Sequence, residues 1–346
     1  MEASIAALSR YQISRFFSTN APLTQEYCNQ EAERITGVPV RPTRLQEGSS
    51  YTVVAGESVV QFRVGSFALD LELLGCVEQA YAGFVPHHRL AGKKDDLHIY
   101  TMNNVGGVTM YLARDQLYRD NYRLLRNTLE DYARLVRFKP EQDCIADLSG
   151  CRFFASAWHN TPGNIPSPDR GMLLARYSSQ LTQLSQGLPP RFRQTLDHLI
   201  QRLPGLFAQD WPMVPNHPHL LENNIYVDPD TGRLVGIFDW RYVEVSPFGM
   251  SLGGLETMLG ITTVQGIWCY HKDQRALRDL FWETLSKAMR NGSDERLEVA
   301  RLVGLFLANG FQYDEEGNKI PVCEGIHELT YLDAVVLGHC RNSTSS

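Results

Sequence analysis

Four side chains between His217 and Asp239 have the types and spacing of a reaction centre. The segment runs His217-Pro218-His219-Leu220-Leu221-Glu222-Asn223-Asn224-Ile225-Tyr226-Val227, then Asp228-Pro229-Asp230-Thr231-Gly232, then Leu234-Val235-Gly236-Ile237-Phe238-Asp239-Trp240. Two apolar, β-rich runs flank an Asp-Pro-Asp-Thr-Gly turn, which predicts a hairpin. A hairpin returns the chain on itself, so Asn224, before the first strand, and Asp239, after the second, come side by side. An amide oxygen and a carboxylate at one end of a rigid ribbon suit a hard cation such as Mg²⁺. His219 precedes Asn224 by five residues. Imidazole, with an ordinary pKa of about 6.5, takes or gives a proton near neutrality but is never an anion. Pro218 stiffens the loop and removes one backbone donor. Zinc fits poorly, because no third and fourth ligand stand nearby at a recognisable spacing.

These residues need a scaffold, and the rest of the chain is long enough to supply one. Its 346 residues, 43% hydrophobic and 21% charged, fit a globular protein of two lobes or domains. A formal charge of −6 gives no basic footprint for nucleic acid. No apolar run reaches membrane-spanning length, and the N-terminus lacks the pattern of a secretory signal. The seven cysteines are scattered, without a Cys-x-x-Cys pair, and read as buried, reduced thiols of a cytoplasmic protein. The N-glycosylation patterns at Asn291 and Asn342 read as incidental. The histidines outside the hairpin segment show no partner pattern.

Helices are predicted over 4–17 and 24–36, the second opened by Thr24 and closed by Gly37. Strands are predicted at 51–54 and 59–63, a helix over 67–82, and a second strand pair at 97–102 and 107–112. From about residue 115 the pattern is helical except for the hairpin, with helices over 120–138, 170–186, 190–208, 274–290 and 294–309. A loop is expected at 160–170 and a frayed polar tail at 341–346. The fold class is α+β, with a small β-rich lobe over 1–104, including an N-terminal extension, and a large helical lobe over 105–346.

The chain resembles the fungal branch of the aminoglycoside phosphotransferase and choline-kinase-like family, within the protein-kinase-like fold. The resemblance rests on Gln46-Glu47-Gly48-Ser49-Ser50-Tyr51-Thr52-Val53, Val59-Val60-Gln61-Phe62-Arg63, the hairpin at 216–240, and Ser246-Pro247-Phe248-Gly249-Met250-Ser251-Leu252-Gly253-Gly254-Leu255-Glu256. It implies Mg-ATP as cofactor and a small-molecule substrate. It implies that Asn224 and Asp239 hold the metal and that Gly48, Ser49 and Ser50 form the loop over the nucleotide phosphates. It implies a basic residue on the third strand. Because the chain has six lysines against 27 arginines, and none before Lys93, Arg63 is the positional candidate. Its partner acid would be Glu72 or Glu78. Tyr100-Thr101-Met102 would form the hinge against the adenine edge.

The departure falls at the catalytic loop. The family pattern has an Asp two residues after the loop histidine, where this chain has His219; His217 matches the family's structural histidine. Three activities remain open: a small-molecule kinase with His219 as base, a repurposed acid–base catalyst of specialised metabolism such as a cyclase or isomerase, and a pseudokinase that only binds. The acceptor pocket is expected among the helices of 115–210 and the segment after Trp240, with Phe153, Phe154 and Trp158 as candidate lining.

Overall fold

The computed structural model describes residues 2–81, 83–133, 153–160, 165, 168–263, 265–289 and 294–338. Residues 134–138, most of 160–170, Asn291, Asn342 and the tail from 339 lie outside the described residues, as do Cys144, Cys151 and Cys340. Contacts divide the chain into two units, Met1–Glu78 with Val85–Gly106, and Gln79–Phe84 with Gly107–Ser346.

The first unit contains helices α1 (Glu2–Thr19), α2 (Gln25–Thr36) and α3 (Leu71–Ala80), the last running two residues past its boundary. Its strands are β1 (Arg41–Pro42), β2 (Ser50–Ala55), β3 (Ser58–Val64), β4 (Arg89–Lys94) and β5 (Leu97–Asn103), in antiparallel order β1-β2-β3-β5-β4. Thr24 caps α2 through a bond from Tyr27 N, and Gly37 ends it in the left-handed conformation that glycine adopts without strain. Side chains alternate faces along a strand. Tyr51, Val53, Val60, Phe62, Leu97 and Ile99 therefore share one face and bury themselves with Phe16 of α1 and Cys28 and Ala32 of α2. The opposite face carries Ser50, Thr52, Gln61 and Arg63. The strand β4 has no counterpart among the sequence expectations. Its Arg-Leu-Ala-Gly-Lys-Lys is an edge strand buried on neither face, so no alternation marks it.

The second unit is mostly helical: α4 (Met110–Leu117), α5 (Arg123–Ala133), α6 (Phe153–His159), α7 (Arg170–Gly187), α8 (Arg193–Arg202), α9 (Glu256–Leu259), α10 (Gln274–Met289), α11 (Glu295–Asn309) and α12 (His327–Leu337). Short antiparallel pieces interrupt it. Strands β6 (Val108–Thr109), β8 (Ile225–Val227) and β9 (Leu234–Ile237) form one sheet, and β7 (Met213–Asn216) pairs with β10 (Glu244–Pro247). Two further pairs are β11 (Gly260–Thr262) with β12 (Trp268–Tyr270), and β13 (Phe311–Tyr313) with β14 (Lys319–Pro321).

Three expectations are corrected here. The strand expected at 107–112 is two residues long, because the Thr109 hydroxyl accepts from Leu112 N and starts α4. The helix expected over 190–208 is regular only over Arg193–Arg202, with Pro204 opening a 3₁₀ turn after it. The chain beyond 115 holds strand pairs other than the hairpin, each of three or four residues and too short for a periodicity to register.

An aromatic core fills the second unit. Tyr132 stacks on Phe153 at 5.4 Å between ring centroids and meets Phe154 edge-on at 4.8 Å, while Tyr81 stacks on Phe153 at 4.4 Å. Phe153 and Phe154 are therefore core residues, and Trp158 packs against Trp211 and Phe248. None of the three lines the cavities beside His219. Among the cysteines, Cys28 and Cys76 are buried as expected and burial pushes the Cys28 thiol up to about 12, whereas Cys269 is half-buried and Cys323 exposed.

Candidate active site

The β8–β9 hairpin forms as its sequence dictates. The Asp228 carboxylate accepts from the N–H groups of Asp230 and Thr231, and Gly232 closes the turn with φ +68°. Gly232 is required for a second reason. A Cβ there would lie 2.2 Å from Leu124 O, because α5 presses directly on the turn. The Thr128 hydroxyl of α5 donates to Gly232 O at 2.7 Å, and the Asp131 carboxylate takes Arg233 Nη1 and Leu234 N. The turn end of the hairpin is thus clamped.

The open end brings the expected metal residues together. Phe238 N donates to Asn224 O at 2.9 Å, which sets Asp239 one residue beyond Asn224's cross-strand neighbour. Asn224 Nδ2 donates to His219 O at 2.9 Å, so the amide oxygen remains the ligand end. Asp239 has φ +63°, a left-handed conformation that Asp tolerates better than most residues and that gathers at functional sites. One carboxylate and one amide oxygen fit Mg²⁺, which commonly takes one or two protein ligands and completes its shell with phosphate and water. Among the described residues, no group of three or more His, Cys, Asp and Glu side chains could hold a metal by itself.

His217 and His219 differ sharply. His217 is 3% exposed, its Nε2 donates to Phe238 O at 2.7 Å, and its Nδ1 accepts from His219 N at 3.0 Å. Burial pushes its pKa down to about 4, against weaker opposing effects of the Phe238 carbonyl and Asp239. It is a neutral strut with both nitrogens occupied. His219 is exposed, gives the framework only its backbone groups, and among the described residues its imidazole makes no hydrogen bond.

Residues without a forecast role hold this loop. Asn216 Nδ2 reaches Ser246 Oγ at 2.9 Å and the carbonyls of Ser246 and Pro247. Ser251 donates from N and Oγ to Asn216 Oδ1. The partners lie about 30 residues apart in sequence, so only the β7–β10 pairing reveals them. Two cavities flank the loop, of about 400 Å³ and 460 Å³, and both are lined by His217, Pro218 and His219. The first also takes Tyr111, Trp268 and Tyr331, and the second Tyr242, Phe311 and Tyr313. Their walls come from α7 and, after Trp240, from α11, α12 and the β13–β14 ribbon, within the two stretches expected, with α4 in addition.

In the first unit, the residues expected to meet nucleotide share one sheet face. Ser50 lies opposite Arg63, and Val59, on the face of Arg63, lies opposite Met102. Gly48 and Ser49 form the turn before β2, and a Cβ on Gly48 would come 2.7 Å from Gln12 Oε1 of α1. Ser50 Oγ is buried and, among the described residues, has no protein partner, an orphan that a phosphate oxygen would satisfy. Arg63 is 3% exposed, with Nε donating to Gln61 Oε1 at 2.6 Å and Nη2 3.8 Å from Glu47 Oε2. The acid beside it thus comes from the loop before β2, not from the expected Glu72 or Glu78. Glu78 instead accepts from His88 N and pairs with the His87 ring, giving these two histidines a partner the sequence did not reveal.

A β-rich unit with one prominent helix after β3, followed by a helical unit carrying a catalytic-type hairpin, is the protein-kinase-like α+β architecture. Residues 84–262 match the Phosphotransferase enzyme family (APH), and the chain belongs to that family. The match takes in the hairpin, Asn224 and Asp239 but not the segment 46–63. No curated protein matches the chain. Similar solved structures include aminoglycoside phosphotransferase APH(3'')-Id from Streptomyces rimosus in complex with ADP and streptomycin, at 15% identity over 84% of this chain and 99% of that one, TM-score 0.47. They also include a choline/ethanolamine kinase family protein from Mesorhizobium loti, at 12% identity over 83% and 84%, TM-score 0.41. A third is an ethanolamine kinase from Plasmodium vivax, at 10% identity over 86% of each chain, TM-score 0.42. Among the described residues no helix is long and apolar enough to cross a membrane.

Proposed function

We propose that the chain is a cytoplasmic small-molecule phosphotransferase acting on a metabolite hydroxyl, with residues 1–104 and 105–346 as its two lobes. The observation that carries this reading is the open end of the hairpin. Asp239 in a left-handed conformation stands one residue past Asn224's backbone partner, and Asn224 is tied to the His219 carbonyl. Asn224 and Asp239 would hold Mg²⁺; Ser50 and Arg63 would meet phosphate oxygens; Met102 would lie at the base. Mg-ATP, when bound, supplies the phosphoryl group that the acceptor oxygen takes up as ADP leaves. His219 accepts the proton of that hydroxyl and returns it to solvent, while His217 keeps the loop in place. Much of phosphoryl transfer is positioning and charge neutralisation, so an imidazole in place of a carboxylate is compatible with turnover.

Calorimetric titration with Mg-ATP, followed by ATP turnover across a panel of hydroxylated metabolites, tests the reading. We expect saturable Mg-ATP binding. His219→Ala should lower turnover by ~10²–10⁴-fold at unchanged Mg-ATP affinity, and His219→Asp should restore ATP turnover. Absence of Mg-ATP binding would overturn the proposal. A second reading, acid–base catalysis without phosphoryl transfer, draws on the exposure of His219 at two cavities that need no nucleotide. Under it, nucleotide leaves the protein's stability unchanged and His219→Ala abolishes the activity. A third, a protein that binds without catalysis, draws on the burial of Arg63 against Gln61; there His219→Ala changes nothing.

A further inference from the structure

We infer that the acceptor carries a carboxylate on an apolar body, and that the carboxylate docks at Lys319 in the cavity beside His219. The inference rests on the reading of that cavity as an acceptor site. The charges around His219 carry it. Each of the two flanking cavities is lined by a single carboxylate, Glu222 in one and Glu244 in the other. Both are already engaged. Glu222 is gripped by Arg114 through Nε at 2.8 Å and through Nη2, and accepts from the Tyr118 hydroxyl at 3.0 Å. Glu244 is held by Arg176 Nη2 and by the Tyr177 hydroxyl. A carboxylate bound to an arginine and a tyrosine has little left to offer a ligand ammonium, so these walls are poorly suited to a polyamine acceptor.

Lys319 is the opposite case. It lines the 460 Å³ cavity, and among the described residues it forms no ion pair. Its Nζ sits 4.4 Å from the Phe311 ring centroid. Partial burial and the neighbouring Arg176 hold its pKa below the ordinary lysine value, and the Glu244 carboxylate, already taken up by Arg176 and Tyr177, offsets this only in part. An incoming anion would relieve that directly. The same cavity has an aromatic rim. Tyr242 is 58% exposed and Tyr313 74% exposed, an unusual outlay of ring surface in water. Rings presented this way suit the apolar body of a ligand whose charged end is on Lys319. His219, on the same cavity wall, would face its hydroxyl.

A matched probe pair tests this: para-hydroxyphenylacetate and tyramine share a phenol ring and differ in the charge of the side arm. Binding is measured by calorimetry on the full chain without nucleotide. The carboxylate probe should bind saturably and tyramine should not. Lys319→Gln should weaken the carboxylate probe about tenfold or more, Lys319→Arg should retain most of the affinity, and Lys319→Glu should reverse the preference. Lys319 is exposed on the β14 ribbon, and an unchanged circular dichroism spectrum of each variant confirms that charge is the only change. Tyramine binding as tightly as its partner, indifference to Lys319→Gln, or no binding of the carboxylate probe at millimolar concentration would each overturn the inference. The two readings fail separately. Lys319-dependent binding without phosphate transfer to any hydroxyl removes the phosphotransferase reading and leaves the anion site. Turnover of a polyamine alcohol at a rate unaffected by Lys319→Gln does the reverse.

Discussion

The open end of the β8–β9 hairpin and the polar face of the five-stranded sheet are built by different means. At the hairpin it is backbone groups that are held, by one another and by the side chains of His217 and Asn224. Phe238 N to Asn224 O, His219 N to His217 Nδ1, and Asn224 Nδ2 to His219 O fix the backbone whatever side chain stands at 219. On the sheet, strand register brings Ser50, Arg63 and Met102 to one face, and side chains hold one another, Arg63 by Gln61 and Glu47. The difference means that the side chain at 219 can vary without disturbing its surroundings. The imidazole of His219 is outside the framework. Arg63, by contrast, is part of the framework it sits in, so its chemistry and its packing change together.

The comparison can be broken first at the metal end. Asp239→Asn keeps a residue type that tolerates positive φ, so the hairpin should survive. Mg-ATP affinity should nevertheless fall by more than the ~10–100-fold typical of losing an outer-shell partner of a ligand. Retained affinity by calorimetry would mean that the hairpin end is not the metal site.

The next effect is on stability. Burial holds both His217 and His271 neutral, with pKa values pushed down to about 4. Arg114 lowers His271 further. The unfolded chain takes up these protons first, so stability should be complete above about pH 6.5 and fall as pH drops towards 4, by roughly 3 kcal/mol for each histidine. Denaturant midpoints across that range measure it. His217→Gln should remove its share of the slope while leaving that of His271. A profile flat from neutrality to pH 4 would show that His217 is not held neutral by the loop.

The smallest effect sharpens the sheet side. Ser50→Ala removes a buried hydroxyl that has no protein partner among the described residues, so the nucleotide-free protein should gain stability, by about 1 kcal/mol, while Mg-ATP binds more weakly. Loss of stability in the same thermal melt would mean that the hydroxyl is satisfied in the free protein and does not await a phosphate.

Much of this was legible before any coordinates. The hairpin with its Asp-Pro-Asp-Thr-Gly turn, the paired strands around Gly56, α2 with its Thr24 cap and Gly37 stop, and the long helices at 170–187 and 274–289 all carry local signals of turn chemistry, capping or periodicity. The same cannot be said of β4, which is exposed on both faces, or of the three- and four-residue strand pairs around the site, whose partners are set by tertiary packing. The aromatic residues Phe153 and Phe154 show the limit from the other side. Aromatic side chains serve a pocket wall and a core equally well, and only their stacking on Tyr132 and Tyr81 assigns them to the core.

The sequence by itself determined which groups are available: an Asn and an Asp at one end of a ribbon, a histidine five residues before the Asn, and no lysine before Lys93. These are matters of residue type and spacing along one local element. Tertiary structure decided how those groups are charged and what surrounds them. It made His217 a neutral strut, tied Glu222 to Arg114 and Glu244 to Arg176, set Glu47 beside Arg63, and left Lys319 on a cavity wall without an ion pair among the described residues. The physical reason is distance in sequence. Glu222 and Arg114 lie 108 residues apart, and electrostatic partnership at that range follows from packing alone.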